Sequence, residues 1–157
     1  MMKQLLIKLK ELFESSSFIS YIKFVDIVDI EERIKTLNKI SISKYPLILI
    51  GRGGENVATG AQDRIIKRLT IDLLVVQRYD KIETVILGDH NTKGITEITD
   101  DIENAISENP TLNRYVRGWD PNTIRIEEGF LQGNFSAYTA GRRMAIDFFK
   151  LKAINSG

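Results

Sequence analysis

Two segments of the chain carry apolar residues on one side only, at the spacing of an α-helix. In the first, Leu5, Leu6, Leu9, Leu12 and Phe13 recur every three or four positions, with Lys3, Lys8, Lys10, Glu11 and Glu14 between them. In the second, Ile95, Ile98, Ile102, Ala105 and Ile106 do the same, with Glu97, Asp100 and Asp101 early in the run. A helix that is apolar along a single stripe must bury that stripe against one partner surface. Acidic residues near its start complement the partial positive charge of a helix N-terminus. Ser15-Ser16-Ser17 ends the first helix, because serine hydroxyls compete for backbone hydrogen bonds. Asn109-Pro110 ends the second, because proline disfavours helical geometry in the residue before it.

The partner surface reads as a sheet. Tyr45-Pro46-Leu47-Ile48-Leu49-Ile50 is apolar on both faces and stops at Gly51, with Pro46 at the first strand residue, where its missing N–H is tolerated. Ile65 to Tyr79 reads as one long strand, with Ile71, Leu73 and Val75 on one face and Asp72 on the other. Residues 20–27 read as a strand, and Ile27, Ile30, Ile34 and Leu37 then suggest a helix or irregular turn near 29–38. Residues 51–63 are expected to be a glycine-rich polar loop. Thr84 to Leu87 forms a short apolar segment closed by Gly88-Asp89-His90-Asn91. The last third reads as a strand over 113–127, broken near Gly118-Trp119-Asp120-Pro121, and a strand from Arg142 to about Leu151 with Met144, Ile146 and Phe148 on one face. A long connection, residues 129–141, joins them and mixes Gly129, Gly133 and Gly141 with Phe130, Phe135 and Tyr138.

This order predicts an α+β fold: a two-layer sandwich with a mainly antiparallel sheet of about 4–6 strands and both amphipathic helices on one face. The other face then needs its own cover, which a neighbouring subunit could supply. Residues 1–157 are expected to form one domain, with 153–157 as a flexible end. Apolar residues make up 43% of the chain and charged residues 27%, enough for a core and a solvated exterior.

Charge and composition narrow the function. The 22 basic and 21 acidic side chains leave a net charge of +1. A protein that holds a polyanion by electrostatics alone shows a basic excess, so nucleic acid is not favoured as the main partner, although a local patch could escape a global count. There is no cysteine, which excludes disulfides, thiolate metal sites and cysteine nucleophiles, and fits folding in a reducing cytoplasm. Lys8, Lys10 and Glu11 interrupt the apolar start, and no run of roughly 18 apolar residues follows, so secretion and membrane spanning are both disfavoured.

The chemical candidates are thin. Gly51-Arg52-Gly53-Gly54 follows an apolar strand, but a phosphate loop needs Lys and then Ser or Thr at the mouth of a helix, and Glu55-Asn56-Val57 stands there instead. His90 is the only histidine, and it reads as part of a polar turn. Glu97, Asp100, Asp101 and Glu103 share one outer helix face and hence one solvent environment, whereas a catalytic pair needs two different environments. Arg142-Arg143, with Arg114 and Arg117, could hold phosphate or meet carboxylates across an interface, and the balanced charge favours the interface. Aromatic residues in the 129–141 connection either pack back on the sheet or serve a contact. No catalytic, cofactor-binding or metal-ligating set emerges. A small ligand-binding or enzymatic α+β domain is kept as an alternative that would require a concave pocket with converging polar groups.

In layout the chain resembles the tail terminator, or tail completion, proteins of tailed bacteriophages. The correspondence runs through the N-terminal helix, the proline-led strand Tyr45 to Ile50, the polar loop, the long strand Arg64 to Tyr79, the helix that stops at Asn109-Pro110-Thr111-Leu112, and the closing strands around Arg125 and Met144 to Phe149. The resemblance implies a virion structural protein, not an enzyme, made in the host cytoplasm and resident in the tail or neck. It implies a homo-oligomeric ring, commonly a hexamer, that caps the tail tube, stops its polymerisation and offers a joining surface to the head. Its partners would be further copies of itself, the tail tube protein and a head-completion or connector protein, with nucleic acid at most passing through the lumen and no membrane or cofactor. The candidate interface residues are Arg52, Phe130, Phe135, Tyr138, Arg142 and Arg143. A head-completion or neck protein is the alternative within the same class.

Overall fold

The computed structural model describes residues 1–58, 64–119, 125–133 and 138–153. Helix α1 (Met2–Ser15) buries Met2, Leu5, Leu9 and Phe13 and ends where Ser16 turns extended. Strand β1 (Phe24–Ile27) leads into the short helix α2 (Ile30–Ile34), whose Asp29 carboxylate accepts the Glu32 N–H as an N-cap. Two 3₁₀ turns, Leu37–Lys39 and Ile42–Lys44, carry the chain to β2 (Leu47–Ala58) and β3 (Arg64–Tyr79). Helices α3 (Ile82–Leu87) and α4 (Ile95–Glu108) follow. Strands β4 (Gly118–Trp119), β5 (Arg125–Gly133) and β6 (Tyr138–Ala153) complete the chain.

The fold is α+β, as its periodicities predict. The mixed sheet runs β1-β2-β3-β6, with β4 and β5 both paired to the outer side of β6. Only the β1–β2 pairing is parallel, and β3 is antiparallel to both β2 and β6. Both long helices lie on one face. Their apolar stripes meet Ile48 and Ile50 of β2, Leu69, Ile71, Leu73 and Val75 of β3, and Met144, Ile146 and Phe148 of β6 in one cluster. Burying a Leu, Ile or Phe side chain contributes about 1.5–3 kcal/mol each, so this cluster dominates the stability.

The opposite face differs from expectation. Leu47, Leu49, Leu74 and Val76 on that face pack with Ile30, Leu37, Ile40 and Tyr45 in a second cluster. The chain's own residues between β1 and β2 therefore cover that half of the sheet, and no neighbouring subunit is required there. Tyr45 anchors the cover by donating its hydroxyl to the Leu37 carbonyl at 2.9 Å.

Three local readings are corrected, and the short apolar segment is given its structure. Residues 51–58 are not a loop; they continue β2, paired to Ile66–Asp72 with a bulge between Arg52 and Glu55. The segment 84–87 lies in helix α3. Residues 113–117 are turn, not strand, because Leu112, Asn113 and Arg114 have φ of 49°, 58° and 69°, a left-handed run no strand contains. Asn109 holds that run, its side-chain oxygen accepting the Asn113 N–H at 3.0 Å. Last, 129–141 is not a long connection: β5 and β6 pair across it down to Gly133 opposite Tyr138. Only residues 134–137 separate the two strands, and they lie outside the described residues, as does the end expected to be flexible beyond Ala153.

Candidate assembly surface

Strand β3 is longer than the core it serves. Its contributions to the two clusters run from Leu69 to Tyr79, and no described side chain of residues 52–58, 66–68 or 149–151 joins either cluster. These segments pair with one another: Val57 opposite Lys67 and Lys67 opposite Lys150, then Asn56 opposite Arg68 and Arg68 opposite Phe149. The result is a three-stranded ribbon continuing past the helix layer. Val57 stands at its tip, 66% exposed.

The ribbon is open along β2. Strand β1 pairs only with Leu47–Ile50, so the outer edge of β2 from Arg52 onward has no strand beside it among the described residues. Open edges invite pairing with other chains and are blunted by bulges and charges. Here the bulge falls at Gly53 and Gly54, flanked by Arg52 and Glu55. Gly53 is demanded by closeness, since a Cβ there would stand 2.5 Å from the Thr70 carbonyl oxygen.

At the base of the ribbon two lysines share one tyrosine ring. Lys150 Nζ lies 3.7 Å from the Tyr115 ring centroid and donates to the Tyr115 carbonyl at 2.6 Å, while Lys8 Nζ lies 5.4 Å from the same ring. Burial lowers the Lys150 amine below its usual pKa, and the Lys8 charge lowers it further. Burial also raises the Tyr115 phenol.

On the face away from the long helices, beyond the second cluster, the sheet is polar. Asp147 is buried in mid-strand; it accepts the Thr70 hydroxyl at 2.7 Å and has the Arg68 Nε at 4.0 Å. Arg142 and Arg143, adjacent in β6, point to opposite faces. Arg142 reaches Thr99 of α4 at 3.5 Å, whereas Arg143 pairs with Glu31 of α2 at 2.7 Å. The structure does not gather them with Arg114 and Arg117: Arg114 is in the left-handed turn, and Arg117 joins the far end of β6 through Phe149. Arg52 is exposed at the ribbon's start, beside a shallow cleft that Asp29, Glu31, Asp72 and Arg143 also line. Phe130 lies in β5 opposite Gly141, Tyr138 opens β6 opposite Tyr79, and Phe135 lies outside the described residues.

The carboxylates of α4 divide into two groups, which corrects the reading of one uniform solvated face. Asp101 accepts the Tyr21 hydroxyl at 2.6 Å and has Lys93 at 3.5 Å. Glu97 accepts the Gly94 N–H at 3.2 Å, holding the helix start. Burial, then the bond to Asp101, raises the Tyr21 pKa well above its usual value. Asp100 and Glu108, by contrast, are exposed. The Asp89-His90-Asn91 turn is as expected: Asp89 accepts the N–H groups of Asn91 and Thr92, which lowers its carboxyl pKa.

One open groove of about 600 Å³ lies between the start of β1 and the end of β3, walled by Tyr21, Lys23, Tyr45, Arg78, Tyr79 and Lys93. Arg78 Nε has no hydrogen-bond partner among the described residues, while burial raises the Tyr45 pKa against the lowering charge of Arg78. Sequence reading missed this groove because its residues come from four separate segments. Among the described residues, no group of three His, Cys, Asp or Glu is placed to hold a metal ion. No described helix is long and apolar enough to cross a membrane. No protein-family model matches the chain, and no curated protein matches it.

Proposed function

We propose that this protein is a ring-forming subunit of a bacteriophage tail, a terminator that occupies the head-proximal end of the tail tube and stops its growth. The observation that carries the reading is the three-stranded ribbon, which extends past both apolar clusters and ends in an exposed Val57. A strand pair extended beyond its core contributes little to folding and much to contact area. Its open β2 edge and its exposed apolar tip suit a joint between subunits. A head-to-tail contact of this kind closes into a ring when the rotation between subunits permits.

The order of elements supports the reading, with an N-terminal helix, a proline-led strand, a long central strand, a helix and a closing strand pair, while the polar loop that the resemblance implies after the proline-led strand is strand through Ala58. Assembly with tail tube protein tests the proposal. Purified chain is added to polymerising tube protein, and tube lengths are measured by electron microscopy beside the chain's own mass by sedimentation velocity. The expected result is a discrete ring-sized species, tubes capped at one end and arrested growth. A chain that stays monomeric and leaves tube length unaltered overturns the proposal. Binding to a head connector but not to the tube end would move it to the head-completion role.

A further inference from the structure

Resting on the ring reading, we propose that the basic ribbon of one copy docks against the acidic outer stripe of α4 on the next copy. The chain as a whole is almost neutral, yet its charge is strongly segregated. The ribbon segments 52–58, 64–68 and 149–153 hold Arg52, Arg64, Lys67, Arg68, Lys150 and Lys152 against the single acid Glu55. Helix α4 holds Glu97, Asp100, Asp101, Glu103 and Glu108 and no base. With a total of +1, the ribbon's surplus finds its counterpart on this same sequence.

Within one copy the two sets do not meet. Lys93 takes Glu97 and Asp101, and no ion pair among the described residues engages Asp100, Glu103 or Glu108. Arg52 and Lys67 likewise pair with no carboxylate among the described residues. Asp100, Asn104 and Glu108 are exposed at successive turns of α4, so they form a continuous outer stripe, and Glu103 stands three residues from Asp100, a spacing at which like charges are unfavourable unless something outside the helix neutralises them. Two complementary patches on different surfaces make a heterologous contact, the kind that builds rings. Opposed potentials steer the approach and fix its register, and the exposed Val57 supplies the apolar centre that charged rims surround.

Charge reversal and mixing test the docking. One variant carries Arg52→Glu with Lys67→Glu, the other Asp100→Lys with Glu103→Lys; circular dichroism confirms that each is folded, and sedimentation velocity reads self-association. Each variant alone is expected to lose at least about tenfold in association constant. Equimolar mixing is expected to restore assembly, because the reversed ribbon then faces the reversed helix while the other two patches still match. If a reversal unfolds the chain, Lys67→Gln and Asp100→Asn give the same reading through a weakened, salt-sensitive association. Variants that assemble like wild type, or that mixing does not rescue, overturn this docking while the ring proposal stands. A wild-type chain that is monomeric even beside tube protein overturns both. Loss of binding to a labelled DNA duplex in the ribbon variant alone, with the helix variant assembling normally, would make nucleic acid the ribbon's occupant and also overturn it.

Discussion

Replacing Tyr21 by Phe isolates the bond that ties the segment before β1 to helix α4. The Tyr21 hydroxyl donates to the Asp101 carboxylate at 2.6 Å, and the Asp101 side chain keeps 19% of its exposure. A hydrogen bond to a charged acceptor contributes about 1.5–3 kcal/mol. Water and Lys93 compensate Asp101 in part, so Y21F is expected to cost about 1–2 kcal/mol near neutrality. The same bond predicts a distinct alkaline behaviour. Because the folded Tyr21 pKa is raised, the folded state keeps a proton that the unfolded chain releases above its ordinary value of 10.0. The stabilisation is therefore complete below about pH 10 and declines as pH rises, by about 1.4 kcal/mol at about pH 11. Y21F has no such proton to lose. The gap between wild type and Y21F in urea unfolding, followed by far-ultraviolet circular dichroism, should accordingly narrow by about 1.4 kcal/mol between neutral pH and about pH 11. Tyr45, Tyr115 and Lys150 titrate in both proteins and cancel in the difference. A gap that is constant with pH would refute the argument, as would a Y21F protein as stable as wild type at neutral pH.

Two further substitutions probe the ribbon and its neighbour. Gly53→Ala places a Cβ 2.5 Å from the Thr70 oxygen and should cost about 1–3 kcal/mol in thermal or urea unfolding, whereas Gly54→Ala enters open space and should be neutral or stabilising by up to about 1 kcal/mol; equal costs would contradict the bulge. Glu31→Ala removes one partner of Arg143, but Glu31 is 71% exposed, so the loss should stay below about 1 kcal/mol and fade in about 1 M salt; a salt-independent loss of about 3 kcal/mol would show a pair that solvent does not screen.

The elements legible in the sequence were those whose burial has a single period. Helices α1 and α4 each bury one stripe, and β3 alternates from Leu69 to Leu73 before its doubly buried run, so each announces itself without neighbours. Residues 51–58 gave the opposite signal, because Gly51, Gly53 and Gly54 are turn formers by local preference. Here glycine serves proximity: Gly53 lets β2 approach the Thr70 carbonyl at a bulge, which only the pairing partner reveals. The 129–141 segment misled for the same reason, with Gly129 between the Glu127 and Phe130 register shift and Gly133 at the last pair of β5 with β6. Arg142 and Arg143 were legible as an interface-prone pair but not as residues on opposite faces. That separation depends on β6 being a strand through both, and it sends one guanidinium to α4 and the other toward α2.

Whole-chain charge disfavours nucleic acid as the main partner, and the fold shows how a sum over residues also hides where the charges lie. Lys67 and Lys150 are brought side by side by antiparallel register, and Asp100 and Glu108 are brought onto one helix face by helical phase, so near-neutrality conceals two poles. Both poles lie outside the apolar clusters. Stability then resides in residues such as Leu69 to Val76 and Phe148, and the proposed assembly contacts use residues outside those clusters. Because few contacts are shared, substitutions at the two kinds of position should combine nearly additively. Fold and assembly can thus be perturbed one at a time, and a loss of association without a loss of stability is informative about the ribbon.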